Sequence, residues 1–429
     1  GAAGAGRLSR RFRVWAPHAA RVELSLPSST VSLHPADRGW HESTADANAG
    51  DEYSYRLDGG DPRPDPRSLS QPSGVHGPSC IVDPGAFRWT DSSWRGIPLE
   101  RALLYELHVG TFSQEGTFDG IIAHLDHLID LGVNAVELLP VAAFAGSRGW
   151  GYDGVDLYAA HSAYGGPEGL ARLVDACHAR KLAVVLDVVY NHYGPEGNYL
   201  SEFGPYVTDQ YRTPWGGAVN YDGPDSDEVR AFALDNALMW LRGFHVDGLR
   251  LDAVHAIIDT SATHLLEQLS AAVDRLARET GRTIWIVAET DANDPRVVRE
   301  RELGGYGVNG QWNDSFHHAL HATLTGERNG YYQDFDGLDD LCTALRQGYV
   351  YTGQYSVVRR RHFGRSPAGI PVTRFVGYSQ NHDQVGNRAA GERLCHLVSD
   401  GRARIAAALT LLAPFVPLLF QGEEWAAST

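Results

Sequence analysis

Among 429 residues there is a single methionine, Met239, and a single lysine, Lys181; every other fixed cationic side chain is an arginine. That usage reads as genome composition rather than mechanism. No initiator methionine is present, and residues 1–6, GAAGAG, read as a flexible end or a trimmed terminus. Positive charge is short overall, with 37 Lys and Arg against 53 Asp and Glu and a formal net charge of −16. Such a balance excludes nucleic acid and anionic membranes as expected partners. The four cysteines, Cys80, Cys177, Cys342 and Cys395, have no close spacing, so neither a metal signature nor a disulfide framework is expected. A cytoplasmic protein with free thiols fits that pattern. No apolar run is long enough to span a bilayer, since the longest candidate, residues 405–420, is broken by Pro414 and Pro417. A basic, apolar, small-residue signal peptide is absent from the start. What the chain does have is length enough for two or three domains and a large core. It also has Trp and Tyr in quantity, many of them in loops, where flat faces suit sugar rings as well as ordinary packing.

From residue 11 to about 91 the pattern is short alternating runs divided by Pro, Gly and Asp. FRVW (12–15), RVELSL (21–26), TVSL (30–33) and YSYRL (53–57) read as strands, and no helical period appears. This predicts a small immunoglobulin-like β-sandwich over residues 1–95, resembling a carbohydrate-binding module, with GGDPRPDP (59–66) as a stiff linker. Beyond a boundary between 91 and 99 the texture becomes strand, loop, helix, repeated. Strands are expected at 103–109, 133–139, 182–190, 246–255, 283–288, 306–312, 375–378 and 415–420. Helices are expected at 118–131, 167–180, 226–242 and 261–280, with long loops at 191–225 and 349–363. LAVVLDVVY (182–190) is nearly all apolar, as suits a parallel strand buried on both faces. Eight such strands predict an α/β fold, a (β/α)8 TIM barrel over residues 96–429. The last strand ends a few residues before Thr429, so the eighth helix and any C-terminal β-domain are expected to be absent and the barrel incomplete at that end.

The stretch 246–255, VDGLRLDAVH, alternates. Gly248, Arg250 and Asp252 point to one side of a strand and Leu249 and Leu251 to the other. Two readings stay open for it: a structural ion pair in the barrel lining, or an ionised nucleophile whose state and direction Arg250 fixes. Active sites of such barrels lie at the carboxyl ends of the strands. Four of those ends carry acids or histidines: Asp187 to His192, Arg250 with Asp252, Glu289, and Gln380 to Asp383. Two carboxyl groups on neighbouring strands suit retaining glycoside cleavage, which needs a nucleophile and an acid about 5–5.5 Å apart. Asp252 beside Arg250 suits the nucleophile. Glu289, after an apolar run, suits the general acid. Asp383 would bind sugar hydroxyls, and His192 and His382 would donate to the same sugar.

In this order DVVYNH, GLRLDAVH, VAET and QNHDQ resemble the four signature regions of the α-amylase superfamily, over about residues 101–424. The resemblance implies Asp252 as nucleophile, Glu289 as acid/base and Asp383 as transition-state stabiliser. Arg250, His192 and His382 would complete the subsite, and Tyr152 in GWGYDG would be the stacking tyrosine. FRVWAPHAARVEL is similar to the sandwich that precedes the barrel in branching, debranching and trehalose-releasing members. RLDAVHAI with His255, TPWGGAVNYDGPDS with Trp215, WNDSFHHALH, YTGQYSVVRRRHFGR and LLFQGEEW resemble the trehalohydrolases that act on maltooligosyltrehalose. The function implied is retaining hydrolysis of the α-1,4 bond next to the terminal trehalose unit, with His255 and Trp215 on the product side. The alternatives are a glucan branching or debranching enzyme and an inactive glucan-binding fragment. No metal and no cofactor are expected: Asn191 holds a position that helps bind calcium in many α-amylases, but its loop is short of further carboxylates.

Overall fold

The computed structural model describes residues 8–428, so the reading of residues 1–6 lies outside the described residues. The N-terminal strands are Leu8–Trp15 (β1), Val22–Leu26 (β2), Ser29–Pro35 (β3), Trp40–Ala47 (β4), Glu52–Leu57 (β5), Pro62–Arg63 (β6) and Ser79–Cys80 (β7). They hydrogen-bond along one path, β1-β4-β3-β2-β5-β6, with β7 on β5. β3 pairs with β2 over its first five residues and with β4 at His34 and Pro35, so it carries the path from one layer to the other. The path folds over: Phe12 on β1 and Tyr53 on β5, four strands apart, meet with ring centroids 5.4 Å apart. Inward residues alternate, as Phe12 and Val14, Val22 and Leu24, Tyr53 and Tyr55 are buried. The sequence did not suggest β4, because WHESTADA has no apolar alternation. Its place comes from an eight-residue antiparallel ladder with β1.

The barrel strands begin with Leu104–Leu107 (β8) and Ala135–Leu138 (β9). An unexpected two-stranded ribbon follows, Ala142–Ala143 (β10) with Asp156–Ala160 (β11). Ala183–Val188 (β12) returns to the barrel. The stretch 191–225, expected to be loop, holds a hairpin of Val207–Thr213 (β13) and Gly216–Val219 (β14). Next come Gly248–Leu251 (β15), Trp285–Ala288 (β16) and Gly310–Trp312 (β17). A second hairpin, Thr352–Ser356 (β18) with Arg361–Gly364 (β19), replaces the other expected loop. Phe375–Gly377 (β20) and Val416–Phe420 (β21) complete the set. Strands β8, β9, β12, β15, β16, β17, β20 and β21 form a closed parallel barrel, β21 pairing with β8. Each lies inside or overlaps one of the eight expected stretches, and nearly every residue in them is buried.

Two further expectations need correction. The region 118–131 is two helices, Phe118–Ile122 and Leu125–Asp130, broken where His124 leaves helical geometry. The strand expected over 246–255 ends at Leu251. Ala253 turns left-handed at φ 37°, and its N–H goes to the Glu289 carboxylate at 2.5 Å rather than to a ladder. His255 therefore sits in a 3-10 turn, exposed between buried Val254 and Ala256, and not on the strand. The sandwich is fastened to the barrel by Trp40 donating to Glu228 at 3.0 Å, by Arg67 with Asp235 at 2.9 Å, and by Trp15 against Tyr206. Among the described residues no helix is long and apolar enough to cross a membrane. All four cysteines are unpaired.

Candidate active site

Arg250 organises the carboxyl end of the barrel. β15 directs it inward, and it is fully buried, with its guanidinium 4.3 Å over the Trp312 ring. A charge so placed needs anions around it. Nη1 donates to Asp187 Oδ1 and Oδ2 at 2.9 and 2.8 Å, and to Asp252 Oδ1 at 2.8 Å. Nη2 lies 3.7 Å from Glu289 Oε2. The ends of β12, β15 and β16 thus bring three acids to one guanidinium. The parallel register sets this up, since Asp187 and Arg250 are direct partners on neighbouring strands.

The acids differ in their surroundings. Asp252 accepts from Arg250 on one oxygen and from Asn191 Nδ2 on the other, at 3.1 Å. Burial pushes the Glu289 carboxyl well above the usual range, Arg250 opposes this, and Asp252 adds to it. Asp187 is carried by burial up to about 6 against the pull of Arg250. Asp383 opens the helix His382–Gly386 after β20, and its side chain is 46% exposed. It is the most open of the three acids singled out in the sequence.

Tyr152 is held by a tight turn. Gly151 has φ 93°, and a Cβ there would lie 2.2 Å from the Pro140 carbonyl oxygen, so only glycine fits. The Tyr152 ring stacks on His382, centroids 5.1 Å apart. Its hydroxyl lies 2.6 Å from Asp187 Oδ2 and 2.7 Å from His382 Nε2. His192 is buried and fixed by Asn191 Oδ1 at 2.8 Å and the Tyr152 carbonyl at 3.0 Å. Trp215, at the tip of the β13–β14 hairpin, stacks on His192 at 4.6 Å and stays 47% exposed. Asp252, Glu289, Arg250, Tyr152, His192, His382 and Trp215 therefore form one contiguous group, with Asp383 at its edge. Among the described residues no hydrogen bond, ion pair or ring contact joins His255 to it. Arg359, which follows Tyr355 in the long stretch 349–363, is paired with Asp291 and lies over the Phe363 ring.

Sequence reasoning missed Glu106 and Glu137, two fully buried acids in β8 and β9 that are direct ladder partners. The signal was there: LYEL and AVEL each set one acid in a buried apolar strand. Glu106 accepts from His382 N and Nδ1 at 3.0 and 2.5 Å. Neither oxygen of Glu137 has a hydrogen-bond partner among the described residues, and burial, then Glu106, push its carboxyl well above the usual range. Asp314, bonded to the Tyr378 hydroxyl, was missed as well; burial carries it up to about 7. Among the described residues no three His, Cys, Asp or Glu converge as a metal site would require.

Comparison with known proteins agrees with this arrangement. The model of the α-amylase catalytic domain matches residues 82–214. The chain is 53% identical to the malto-oligosyltrehalose trehalohydrolase of Arthrobacter ramosus, across 98% of this chain and 74% of that protein. It is 51% identical to the enzyme of the same name from Mycobacterium tuberculosis strain H37Rv, across 97% of this chain and 73% of that one. A crystal structure of a putative α-amylase from Salmonella typhimurium superposes with a TM-score of 0.91 at 41% identity, covering all of this chain and 73% of that one. This chain is a glycoside hydrolase of the α-amylase superfamily and belongs to its malto-oligosyltrehalose trehalohydrolase family.

Proposed function

We propose that the chain hydrolyses the α-1,4 bond next to the terminal trehalose unit of maltooligosyltrehalose and releases trehalose with retention. The observation that carries this reading is the asymmetry of two acids on one guanidinium. Asp252 is satisfied by Arg250 and Asn191, as a carboxylate nucleophile should be. Glu289 is pushed toward its protonated form by burial and by Asp252, as a general acid should be. Asp252 attacks the anomeric carbon while Glu289 gives its proton to the leaving oxygen of trehalose. Glu289 then takes a proton from water, which opens the glycosyl ester at Asp252. Asp383 binds ring hydroxyls of the attacked sugar. Arg250, His192, His382 and Tyr152 hold that sugar, and Trp215 lines the product side. His255, exposed just beyond the nucleophile, is kept as a product-side residue.

The division proposed is 1–95 for the sandwich, as a carbohydrate-binding-like domain, and 96–429 for the catalytic barrel. Four unpaired cysteines, with Cys342 exposed, support a reducing, cytoplasmic setting. The test is to incubate the protein with maltooligosyltrehalose, maltohexaose and amylose and separate the products. Trehalose from the first substrate, with little turnover of the second, is expected. New α-1,6 branches in amylose would establish a branching enzyme instead, and no product from any substrate would leave a glucan-binding protein.

A further inference from the structure

Glu106 is 1% exposed and lies in the middle of β8, so it touches no substrate. Yet it is gripped at both oxygens by one residue of the site, accepting from the backbone N and from Nδ1 of His382. From there an unbroken chain of contacts crosses the barrel mouth. His382 Nε2 is 2.7 Å from the Tyr152 oxygen, which is 2.6 Å from Asp187 Oδ2. Asp187 in turn meets Arg250, and Arg250 meets Asp252.

Counting protons decides how the chain must run. Arg250 has only donors, and above pH about 6, where Asp187 is a carboxylate, the oxygens that face Arg250 are acceptors only. The phenol of Tyr152 has one proton. If His382 is an imidazolium, Nδ1 donates to Glu106, Nε2 donates to Tyr152, and the phenol is free to donate to Asp187. Every contact is then satisfied. If His382 is neutral, the bond to Glu106 keeps the proton on Nδ1, and Nε2 is a bare acceptor. Nε2 and Asp187 then compete for a single phenol proton, and one contact becomes lone pair against lone pair.

We propose that Glu106 is a positioning residue: it holds His382 as a donor at both ring nitrogens and thereby fixes the Tyr152 hydroxyl as a donor to Asp187. Its effect on turnover rests on the function proposed above; its effect on His382 does not. The charged and titratable groups facing His382 are Glu106 on β8, Glu137 on β9, Asp187 on β12 and Arg250 on β15. Tyr152 and His108 from the loops, and Asp383 on its own helix, complete them. Burial works against the cation and Arg250 adds to that, but Glu106 and then Asp383 outweigh both and carry the imidazole up to about 9. The donor form is therefore complete below that value and is lost as pH rises through it.

The test is a pH titration of the His382 ring nitrogens by 15N NMR in the unliganded full chain, for the wild type, Glu106→Gln and Glu106→Asp. The wild type should titrate near 9. Glu106→Gln should fall toward the ordinary histidine value of about 6.5, whereas Glu106→Asp, which keeps the charge, should stay high. The kcat/KM of Glu106→Gln should match the wild type within about two-fold at pH 5.5 and fall by roughly 30-fold at pH 8, the ratio of imidazolium at those two midpoints. A wild-type His382 that titrates near 6.5 overturns the proposal even if no variant folds. So does a Glu106→Gln midpoint that does not move, or a loss of kcat equal at all pH values. A high wild-type midpoint that falls in Glu106→Gln, in a protein that hydrolyses none of the glucans, would overturn the function while leaving the role of Glu106 standing.

Discussion

The barrel carries a buried charge cluster at each end, and the two are built to opposite rules. At the amino end, just before β15, Asp247 is fully buried and each of its oxygens has two donors. Oδ1 accepts from Trp94 Nε1 and Arg282 Nη2, both at 2.8 Å, and Oδ2 from His178 Nε2 and Val184 N, both at 2.9 Å. His178 is also held through Nδ1 by Asp91, which takes His245 as well. Burial would raise Asp91, but hydrogen bonds from these two histidines hold it below the usual range. Among the described residues, Arg282 Nε is the one buried side-chain atom of this cluster without a hydrogen bond. At the carboxyl end, by contrast, both oxygens of Glu137, Nε and Nη2 of Arg250 and Nε1 of Trp312 have no hydrogen bond among the described residues. Glu137, Asp187, Glu289 and Asp314 are all pushed up. A paired cluster ties the segment around Asp91 to the barrel. An under-paired cluster holds protons and charge where a substrate can use them, which is where shifted acids tend to gather.

The sharpest way to break this contrast is to remove one acid from each end. Asp252→Asn should lower turnover on the order of 10⁴-fold or more, as loss of a nucleophile does, without lowering the unfolding midpoint. Steady-state kinetics and a thermal melt check both halves. Asp247→Asn should do the reverse. It sets an NH2 group against two donors, either Trp94 and Arg282 or His178 and Val184, and leaving a buried charge unpaired costs about 3–5 kcal/mol. Denaturant unfolding should show that loss, while activity per folded molecule stays at the wild-type level. An Asp247→Asn protein of normal stability but poor turnover would invert the assignment.

A smaller effect is expected at Glu137. Its carboxyl has no partner, so Glu137→Met should stabilise the protein by about 1–3 kcal/mol, the cost of a buried unsatisfied polar group. The sign with pH follows from its raised folded-state value. Above the ordinary glutamate value of about 4.3 the unfolded chain releases a proton that the folded chain keeps, so wild-type stability falls as pH rises. The gain from Glu137→Met should therefore be greater at pH 8 than at pH 4. Equal gains at both would show that Glu137 titrates normally.

What the sequence showed of these two clusters depended on where each residue lay. The eight barrel strands were legible because buried parallel strands read as short apolar runs; Asp252 and Glu289 were legible because they follow such runs, and Asp187 because it opens DVVYNH. Glu106 and Glu137 stand within their strands, where each shows only as a single acid in a short apolar run. What makes them a pair is the register between β8 and β9, which a single chain does not display. Asp91, His178, Asp247 and Arg282 are spread along the sequence and meet only when the barrel closes. The hairpin bearing Trp215 was read as loop because its first strand, VTDQYRT, is mostly polar with no buried residue, and backbone pairing holds it to β14.

The finest comparison lies between one tryptophan-on-histidine stack from each end. Trp94 lies on His178 with centroids 5.0 Å apart and an interplanar angle of 18°, and its indole N–H is bonded to Asp247. Trp215 lies on His192 at 4.6 Å and 5°, and among the described residues its indole N–H has no bond. The first stack is closed within the protein. The second is 47% exposed and presents a free aromatic face beside the acids. Trp94→Ala should therefore act on stability, and Trp215→Ala on affinity. For Trp215→Ala the expected change is a KM for maltooligosyltrehalose raised about 10-fold, or about 1.4 kcal/mol, with hydrolysis of plain maltooligosaccharides slow and little altered. Its unfolding free energy should stay within about 0.5 kcal/mol of wild type, as for a surface change. Kinetics on both substrates and one melt decide the matter. A lower melting point with unchanged KM would mean that Trp215 packs as Trp94 does, and that the open end of the barrel lacks the sugar-binding face assigned to it.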